Sequence, residues 1–217
     1  MKLGTVKKNK TTIAISIIWL FHISACIGIS IGFQDWFISK TPINIILFSF
    51  LFLIVYPLDT LKKFMVFTLF FSGGMFAEWL GTNYGILFGN YTYGVNLGPK
   101  LDGVPFLIGI NWSVLTFVTA SVASKLVKKV WLKIVLASLL MVLLDYFMER
   151  IAPIFDFWMF EGTEAPLENY ITWFIVALFF QTILQLFRIT GNNVFSLHLY
   201  LSQLFFFAYF SAYYSLN

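Results

Sequence analysis

The sequence predicts an all-α integral membrane protein, a single domain over residues 1–217 that forms a bundle of about seven transmembrane helices. Three observations lead to this prediction. Hydrophobic residues make up 59% of the chain and charged residues only 11%, a balance far from that of soluble domains. The mean hydropathy is +0.85. The apolar residues also fall into runs of about 20, the length at which a helix crosses the roughly 30 Å hydrocarbon core of a bilayer.

Charged or glycine-rich segments separate the predicted spans. The first span follows the basic start MKLGTVKKNK, and we expect it to be retained because no small-residue cleavage pattern follows it. The second is short and begins at Pro42, since proline suits the first turn of a helix. No internal repeat or low-complexity tract is evident. The predicted spans are residues 12–31, 42–58, 64–80, 105–124, 130–148, 170–187 and 194–214.

The basic residues predict the orientation of the bundle. Of the 14 Lys and Arg residues, 11 fall on the side of the N-terminus and 3 on the other side. Positive charge favours the cytoplasmic side, so we expect a cytoplasmic N-terminus, in a prokaryotic inner or plasma membrane, and two long loops on the outer face. The net charge of +4 is spread between spans. It therefore indicates membrane topology and not nucleic-acid binding.

The stretch 76–112 carries the most specific pattern in the chain. Glu78 lies near the end of the third predicted span, a loop rich in glycine follows, and Val104-Pro105 opens the next span. Glycine lets a backbone turn tightly or approach a neighbour closely, and aromatic side chains give rigid apolar walls. We interpret this stretch as one wall of an active site. Its candidate substrate contacts are Trp79, Phe88, Tyr91, Tyr93 and Trp112.

Three polar side chains from three spans lie at a similar predicted depth: Glu78, Asn111 and Asp145. Intramembrane carboxyl groups are rare and usually face the bundle interior, so one hypothesis is a shared catalytic cavity. The alternative is a structural hydrogen-bond cluster between helices. A carboxyl group in a dry cavity can stay neutral and donate a proton. The pattern leaves open whether Glu78 or Asp145 is the donor. Glu149 lies one turn after Asp145 on the same helix face.

The second long loop is acidic and aromatic. Trp158 within it and Trp173 after it are candidates for interfacial anchors, the commoner role. The alternative is a cage whose ring faces stabilise a cation by about 0.5 to 2 kcal/mol each. Asn169 precedes the sixth predicted span. It is a candidate helix cap and, alternatively, a contact for substrate or water.

Metal and cofactor sites are not indicated. His22 and His198 lie in the first and last spans without a second ligand at metal spacing. Cys26 is the single cysteine, which excludes an intrachain disulfide and a thiolate metal cage. No glycine-rich phosphate-binding motif occurs. We therefore expect neither a metal nor a cofactor.

Two blocks of residues resemble the membrane carotenoid hydratases, which include the bisanhydrobacterioruberin hydratases and the carotenoid 1,2-hydratases. The first block consists of Glu78, Gly81, FGNYTY at 88–93, LGPKL at 97–101, Val104-Pro105 and Trp112. The second consists of Asp145, Glu149, Pro153, DFW at 156–158, Pro166, Asn169 and Trp173. The sequence departs from that family at Phe160, where a second Trp is frequent, and at Thr172, where Gly commonly precedes the Trp.

The resemblance implies a hydro-lyase that adds water across the terminal 1,2 double bond of an acyclic carotenoid end. Substrates of this kind resemble γ-carotene, lycopene or a bacterioruberin precursor. The implied chemistry is protonation by Glu78 or Asp145 to a tertiary carbocation, which is captured by a water that the other carboxyl group and Asn111 orient. The expected partners are the carotenoid, water and membrane lipids, and the sequence identifies no protein partner.

Two other functions fit parts of the pattern. A carotenoid cyclase uses the same acid-initiated cation chemistry and is separated from a hydratase by its product. A proton-coupled transporter also uses intramembrane acids, but its polar residues should continue through both leaflets. A retinal protein is disfavoured because the last span, 194–214, contains no lysine.

Overall fold

A computed structural model describes residues 2–56, 58–162, 164–189 and 191–216, with side chains from residue 9 onward. Lys2, Lys7 and Lys8, three of the basic residues counted for the orientation, therefore have side chains outside the described part. Within the described residues the chain forms helices α1 (Lys2–Ser30), α2 (Gln34–Ile38), α3 (Thr41–Val55), α4 (Leu61–Tyr84), α5 (Phe106–Leu126), α6 (Val130–Glu149), α7 (Leu167–Leu186) and α8 (Asn193–Leu216). The short strands are β1 (Tyr91–Tyr93), β2 (Lys100–Leu101), β3 (Val104–Pro105) and β4 (Trp158–Phe160).

The predicted all-α, multi-pass membrane bundle is confirmed. Six described helices, α1 and α4 to α8, are long and apolar enough to cross a membrane. The predicted short second span is α3, which has 15 residues. Its start lies at the end of the bundle that carries the two long loops, because Pro42 is close to Gly98, 3.6 Å from where a Cβ of residue 98 would lie. Its end lies at the opposite, lysine-rich end, because Tyr56 contacts Gly191. The helix α3 therefore also runs from one end of the bundle to the other.

Helix α4 extends beyond the predicted span at both ends. The side chain of Thr60 caps its start by accepting a hydrogen bond from the backbone N–H of Lys63 at 3.3 Å. Gly85 ends it in the left-handed conformation, φ 64°, which glycine adopts without strain. Glu78 is consequently nearly two turns inside the helix rather than at its end.

Helix α5 forms the centre of the bundle. It packs against α3, α4, α6, α7 and α8. Of the residues in its most apolar stretch, 83% are buried. Close approach of α4 depends on small residues, since Gly74 lies against the ring of Trp112 and Gly109 against Met75. This packing brings residues near the loop end of α5 beside the last turns of α4.

The two long loops pair with each other, and no sequence pattern predicted this pairing. Strands β1 and β4 are antiparallel, with Tyr91 opposite Phe160 and Tyr93 opposite Trp158. Because side chains alternate along a strand, these four point inward, while the intervening Thr92 and Met159 are exposed. The ladder closes the loop end of the bundle over the carboxyl groups described next.

Candidate active site

Glu78 is buried on α4 and is held by three donors. Its Oε2 accepts hydrogen bonds from the hydroxyl groups of Tyr91 and Tyr93, the latter at 2.7 Å. Its Oε1 accepts from the indole Nε1 of Trp112 at 2.8 Å. The donors come from β1 and α5, so both oxygens and the orientation of the carboxyl group are fixed by two separate elements.

Asp145 and Glu149, one turn apart on α6, share a single amide. The Nδ2 of Asn169 donates to Asp145 Oδ2 at 3.2 Å and to Glu149 Oε1 at 3.0 Å. The Nε1 of Trp158 donates to Glu149 Oε2 at 2.7 Å. Asp145 Oδ1 is buried and has no hydrogen-bond partner among the described residues. It is the one oxygen of Glu78, Asp145 and Glu149 that is left unpaired there.

A small cavity, which we call the acid chamber, lies between these groups. The volume that the centre of a water-sized sphere can occupy in it is about 20 Å³. Since one water needs roughly 10 to 15 Å³ on this measure, the acid chamber has room for one water molecule. Its lining consists of Glu78, Tyr91, Tyr93, Ile108, Asn111, Trp112, Asp145, Met148, Glu149, Trp158, Phe160, Asn169 and Trp173.

The predicted catalytic residues Glu78, Asn111 and Asp145 are thus brought together. Most of the predicted substrate contacts join them, and the rings of Trp112 and Trp173 stack with centroids 3.8 Å apart. Phe88 lies one layer behind this wall. It is 1% exposed, and its ring is 6.5 Å from that of Trp112 and 6.3 Å from that of Trp173.

The prediction that Trp79 lines the same pocket is wrong. Its Nε1 donates to Asp102 Oδ2 at 2.6 Å, and its ring packs against the exposed rings of Phe76 and Tyr84. Successive residues on a helix point about 100° apart, so the neighbour of an inward Glu78 faces away from the acid chamber.

Asn169 does not cap its helix, in contrast to the capping alternative. The cap position of α7 is Pro166, and no side chain of the described residues caps it. Asn169 lies inside the first turn with its side chain 1% exposed. Burial of the amide between two carboxyl groups explains this placement, because a buried amide requires partners.

Four lining residues were not among the predicted site residues, namely Glu149, Phe160, Ile108 and Met148. The spacing of Glu149 from Asp145 was the available signal, since residues four apart share a helix face. Phe160 faces the acid chamber through the β1–β4 register. Thr172, the other departure from the family pattern, donates its hydroxyl to the carbonyl of Leu87 at 2.5 Å and so ties α7 to the first loop.

The acid chamber contains carboxyl groups without basic partners. No Lys or Arg of the described chain lines it, and the described residues contain no group of three or more His, Cys, Asp or Glu suited to holding a metal ion. Burial, followed by the charge of Glu78, raises the pKa of Tyr91 and of Tyr93 well above the ordinary value. Both phenols therefore remain protonated and serve as donors.

A second space, which we call the apolar cavity, adjoins the acid chamber. It measures about 110 Å³ for the centre of a water-sized sphere, and its walls come largely from α1, α3, α5, α6 and α8. Four residues line both spaces: Ile108, Asn111, Met148 and Trp158. The side chain of Asn111 forms no hydrogen bond within the described part of the chain, so its amide is available at this shared wall.

Gly81 sets the position of Tyr91, and its replacement gives a first test of the site. A Cβ at Gly81 would lie 2.7 Å from the Tyr91 ring and 2.8 Å from its hydroxyl. We expect Gly81→Ala to displace the phenol from Glu78 and to lower the free energy of unfolding by about 1 to 3 kcal/mol. Thermal unfolding in detergent measures this. The control is Gly162→Ala, since no atom of the described residues lies within 4 Å of a Cβ there. Equal melting temperatures for both variants would contradict the prediction.

Comparison with known proteins identifies one family. The family described as carotenoid biosynthesis protein matches residues 41–217, which is more than half of the chain. No curated protein and no solved structure matches this chain.

Proposed function

The chain belongs to the carotenoid biosynthesis protein family, and from this premise we propose that it is a carotenoid hydratase. In this proposal it adds water across the terminal 1,2 double bond of an acyclic carotenoid end in a prokaryotic plasma or inner membrane. The family supports a role in carotenoid biosynthesis, and the site supports the particular reaction. The supporting observation is a buried carboxyl oxygen without a partner, Asp145 Oδ1, in a chamber for one water that adjoins an apolar cavity.

The hydrogen bonds favour different roles for the carboxyl groups. Glu78 accepts from three donors, an arrangement that suits a carboxylate because donors stabilise the charged form. Asp145 accepts one hydrogen bond and leaves Oδ1 unpaired. A protonated Oδ1 has no competing acceptor and is available to an alkene. We therefore assign proton donation to Asp145 and stabilisation of positive charge to Glu78.

The proposed reaction is balanced without a redox step. The proton of Asp145 bonds to the less substituted carbon of the double bond, and the π electrons form that C–H bond. The other carbon becomes a tertiary cation. A water oxygen bonds to the cation and releases one proton to the Asp145 carboxylate, which restores the acid. The net change is the alkene plus one water giving one tertiary alcohol.

The walls of the acid chamber suit a cation at its border with the apolar cavity. Trp158 lines both spaces, and ring faces attract cations by about 0.5 to 2 kcal/mol each. The phenols of Tyr91 and Tyr93 and the stacked Trp112 and Trp173 complete the wall in this proposal. Asn111 orients the attacking water, because its amide has no other hydrogen-bond partner among the described residues.

The substrate chain belongs in the apolar cavity in this proposal. The acid chamber has room for one water but not for an isoprenoid end, so the double bond must approach along the shared wall. Phe21 of α1 is the exposed side chain of the cavity lining and packs against Phe48 of α3, with ring centroids 6.3 Å apart. We therefore place the entry for the polyene from lipid beside α1 and α3.

Expression in a bacterium that makes lycopene or γ-carotene tests the function. We expect pigments whose mass has increased by one water for each hydrated end, with cells carrying an empty vector as control. A new pigment of unchanged mass would indicate a cyclase, and unchanged pigment in cells that contain the folded protein would contradict both enzyme functions.

A further inference from the structure

A third space opens at the loop end of the bundle, between the end of α6, the start of α7 and the end of α8. We call it the polar vestibule. It measures about 420 Å³ for the centre of a water-sized sphere. Its rim carries the exposed charged residues Arg150 and Glu164. Exposed charged side chains are stable only in contact with water, so the polar vestibule faces the aqueous side.

Glu149 separates the polar vestibule from the acid chamber. It is the residue that lines both spaces, and it is 9% exposed. On its inner side it accepts hydrogen bonds from Asn169 at 3.0 Å and from Trp158 at 2.7 Å. The side chain of Glu149 is therefore the barrier between bulk water and the acid chamber.

Arg150 holds the rim of this space open across two helices. Its guanidinium group donates to Ser215 Oγ of α8 at 3.1 Å and to the Tyr146 hydroxyl of α6 at 3.5 Å. These contacts hold the end of α6 next to the end of α8. The rim is thus fixed by contacts that do not involve the acid chamber.

Hydration needs a supply of water that is separate from the supply of carotenoid. Each product consumes one water, and the acid chamber has room for one. The apolar cavity is lined mainly by Phe, Ile and Leu side chains, a surface that water enters unfavourably. A filled polyene site also blocks that route. Water must therefore reach the acid chamber from another side.

We propose that the polar vestibule is the water entrance and that Glu149 is the positioning residue that passes one water at a time to Asp145. This inference rests on the proposed hydratase function. The route follows polar atoms throughout, from the rim to the Glu149 carboxyl group, then to the Asn169 amide and Asp145. The enzyme thus takes its two substrates from two phases, the carotenoid from lipid and the water from the outer aqueous side.

Reversible blockage of the polar vestibule tests the proposal. Ala165 lines it and contributes no side-chain hydrogen bond within the described residues. Ala165→Cys leaves the space open, and a charged, membrane-impermeant methanethiosulfonate reagent then fills it. We expect modification to slow hydration by about tenfold or more, with carotenoid binding, followed by its absorption spectrum, unchanged. A reducing agent should restore the rate.

Two controls accompany this experiment. Wild-type protein treated with the reagent has only Cys26, which is buried. Val95→Cys carries the reagent at a residue that is 76% exposed and outside all three cavities. An unchanged rate after modification of Ala165→Cys would overturn the proposal, as would simultaneous loss of carotenoid binding. Failure of the proposed function would look different, because the unmodified protein would then form no hydrated product.

Substitution of Glu149 separates passage of water from proton donation. Glu149→Gln keeps polar atoms for water, and we expect its turnover to stay within about tenfold of wild type. Glu149→Leu removes these polar atoms and should lose much more of the turnover, while the affinity for carotenoid is retained. Equal and complete loss in both variants would overturn the positioning role, and so would a wild-type rate in Glu149→Leu.

Discussion

Asp145→Asn is expected to lower the rate of hydration by about 10² to 10⁴-fold, the usual contribution of a general acid. The amide has the shape of the carboxyl group and can still accept the hydrogen bond of Asn169, but it cannot deliver a proton to an alkene. The melting temperature should change little because the packing around this side chain is retained. Pigment analysis of membranes with equal amounts of folded variant and wild type measures the loss.

The matched control for this variant is Asp35→Asn. Asp35 is an exposed carboxyl group on α2, outside the three cavities, so its replacement should leave the rate unchanged. Hydration at the wild-type rate by Asp145→Asn would remove this residue from the chemistry. Proton donation would then have to come from Glu78 or Glu149.

Glu78→Gln should damage both activity and stability. The carboxyl group accepts from Tyr91, Tyr93 and Trp112, whereas glutamine offers one acceptor oxygen and turns its own donor toward these groups. Each buried donor left unpaired costs about 1 to 3 kcal/mol. Loss of the charge that stabilises the cation should reduce hydration by about 10² to 10³-fold. Thermal unfolding and pigment analysis of the same preparation measure the two effects.

A second substitution shows whether the stability loss has the stated cause. Tyr93→Phe in the wild-type background removes a hydrogen bond to Glu78 at 2.7 Å and should destabilise the protein. In the Glu78→Gln background the same change removes an unmatched donor and should be neutral or stabilising. If the effect of Tyr93→Phe changes sign between the two backgrounds, the two substitutions are not additive, as is expected for residues in contact. Additive effects of the two substitutions would contradict the hydrogen-bond arrangement.

The sequence was sufficient to predict the bundle because each crossing leaves a local signal. A run of about 20 apolar residues specifies a span wherever it occurs. The helix α3 has only 15 residues, but it was predictable because its apolar run begins at Pro42 and has lysines on both sides. The alternation of helix direction then put both long loops at one end, which the β1–β4 ladder confirms.

The closure of the site was not predictable, because it depends on pairing between distant segments. Tyr91 and Phe160 belong to loops separated by α5 and α6, and a strand of three residues carries no recognisable period. The outward direction of Trp79 and the burial of Asn169 depend on how α4 and α7 are rotated about their own axes. Aromatic residues occur among both the buried and the exposed side chains, so composition did not specify that rotation.

Hydration in isotopically labelled water tests the central claim most directly. Membranes containing the protein are given an acyclic carotenoid in D₂O or in H₂¹⁸O, and the purified product is analysed by mass spectrometry and NMR. We predict one non-exchangeable deuterium on the less substituted carbon of the former double bond and one ¹⁸O on the adjacent tertiary carbon, with about 10² to 10⁴-fold less labelled product when Asp145→Asn replaces the wild type. A product that lacks deuterium at that carbon when formed in D₂O, or that lacks ¹⁸O when formed in H₂¹⁸O, would contradict protonation followed by capture of water in the acid chamber.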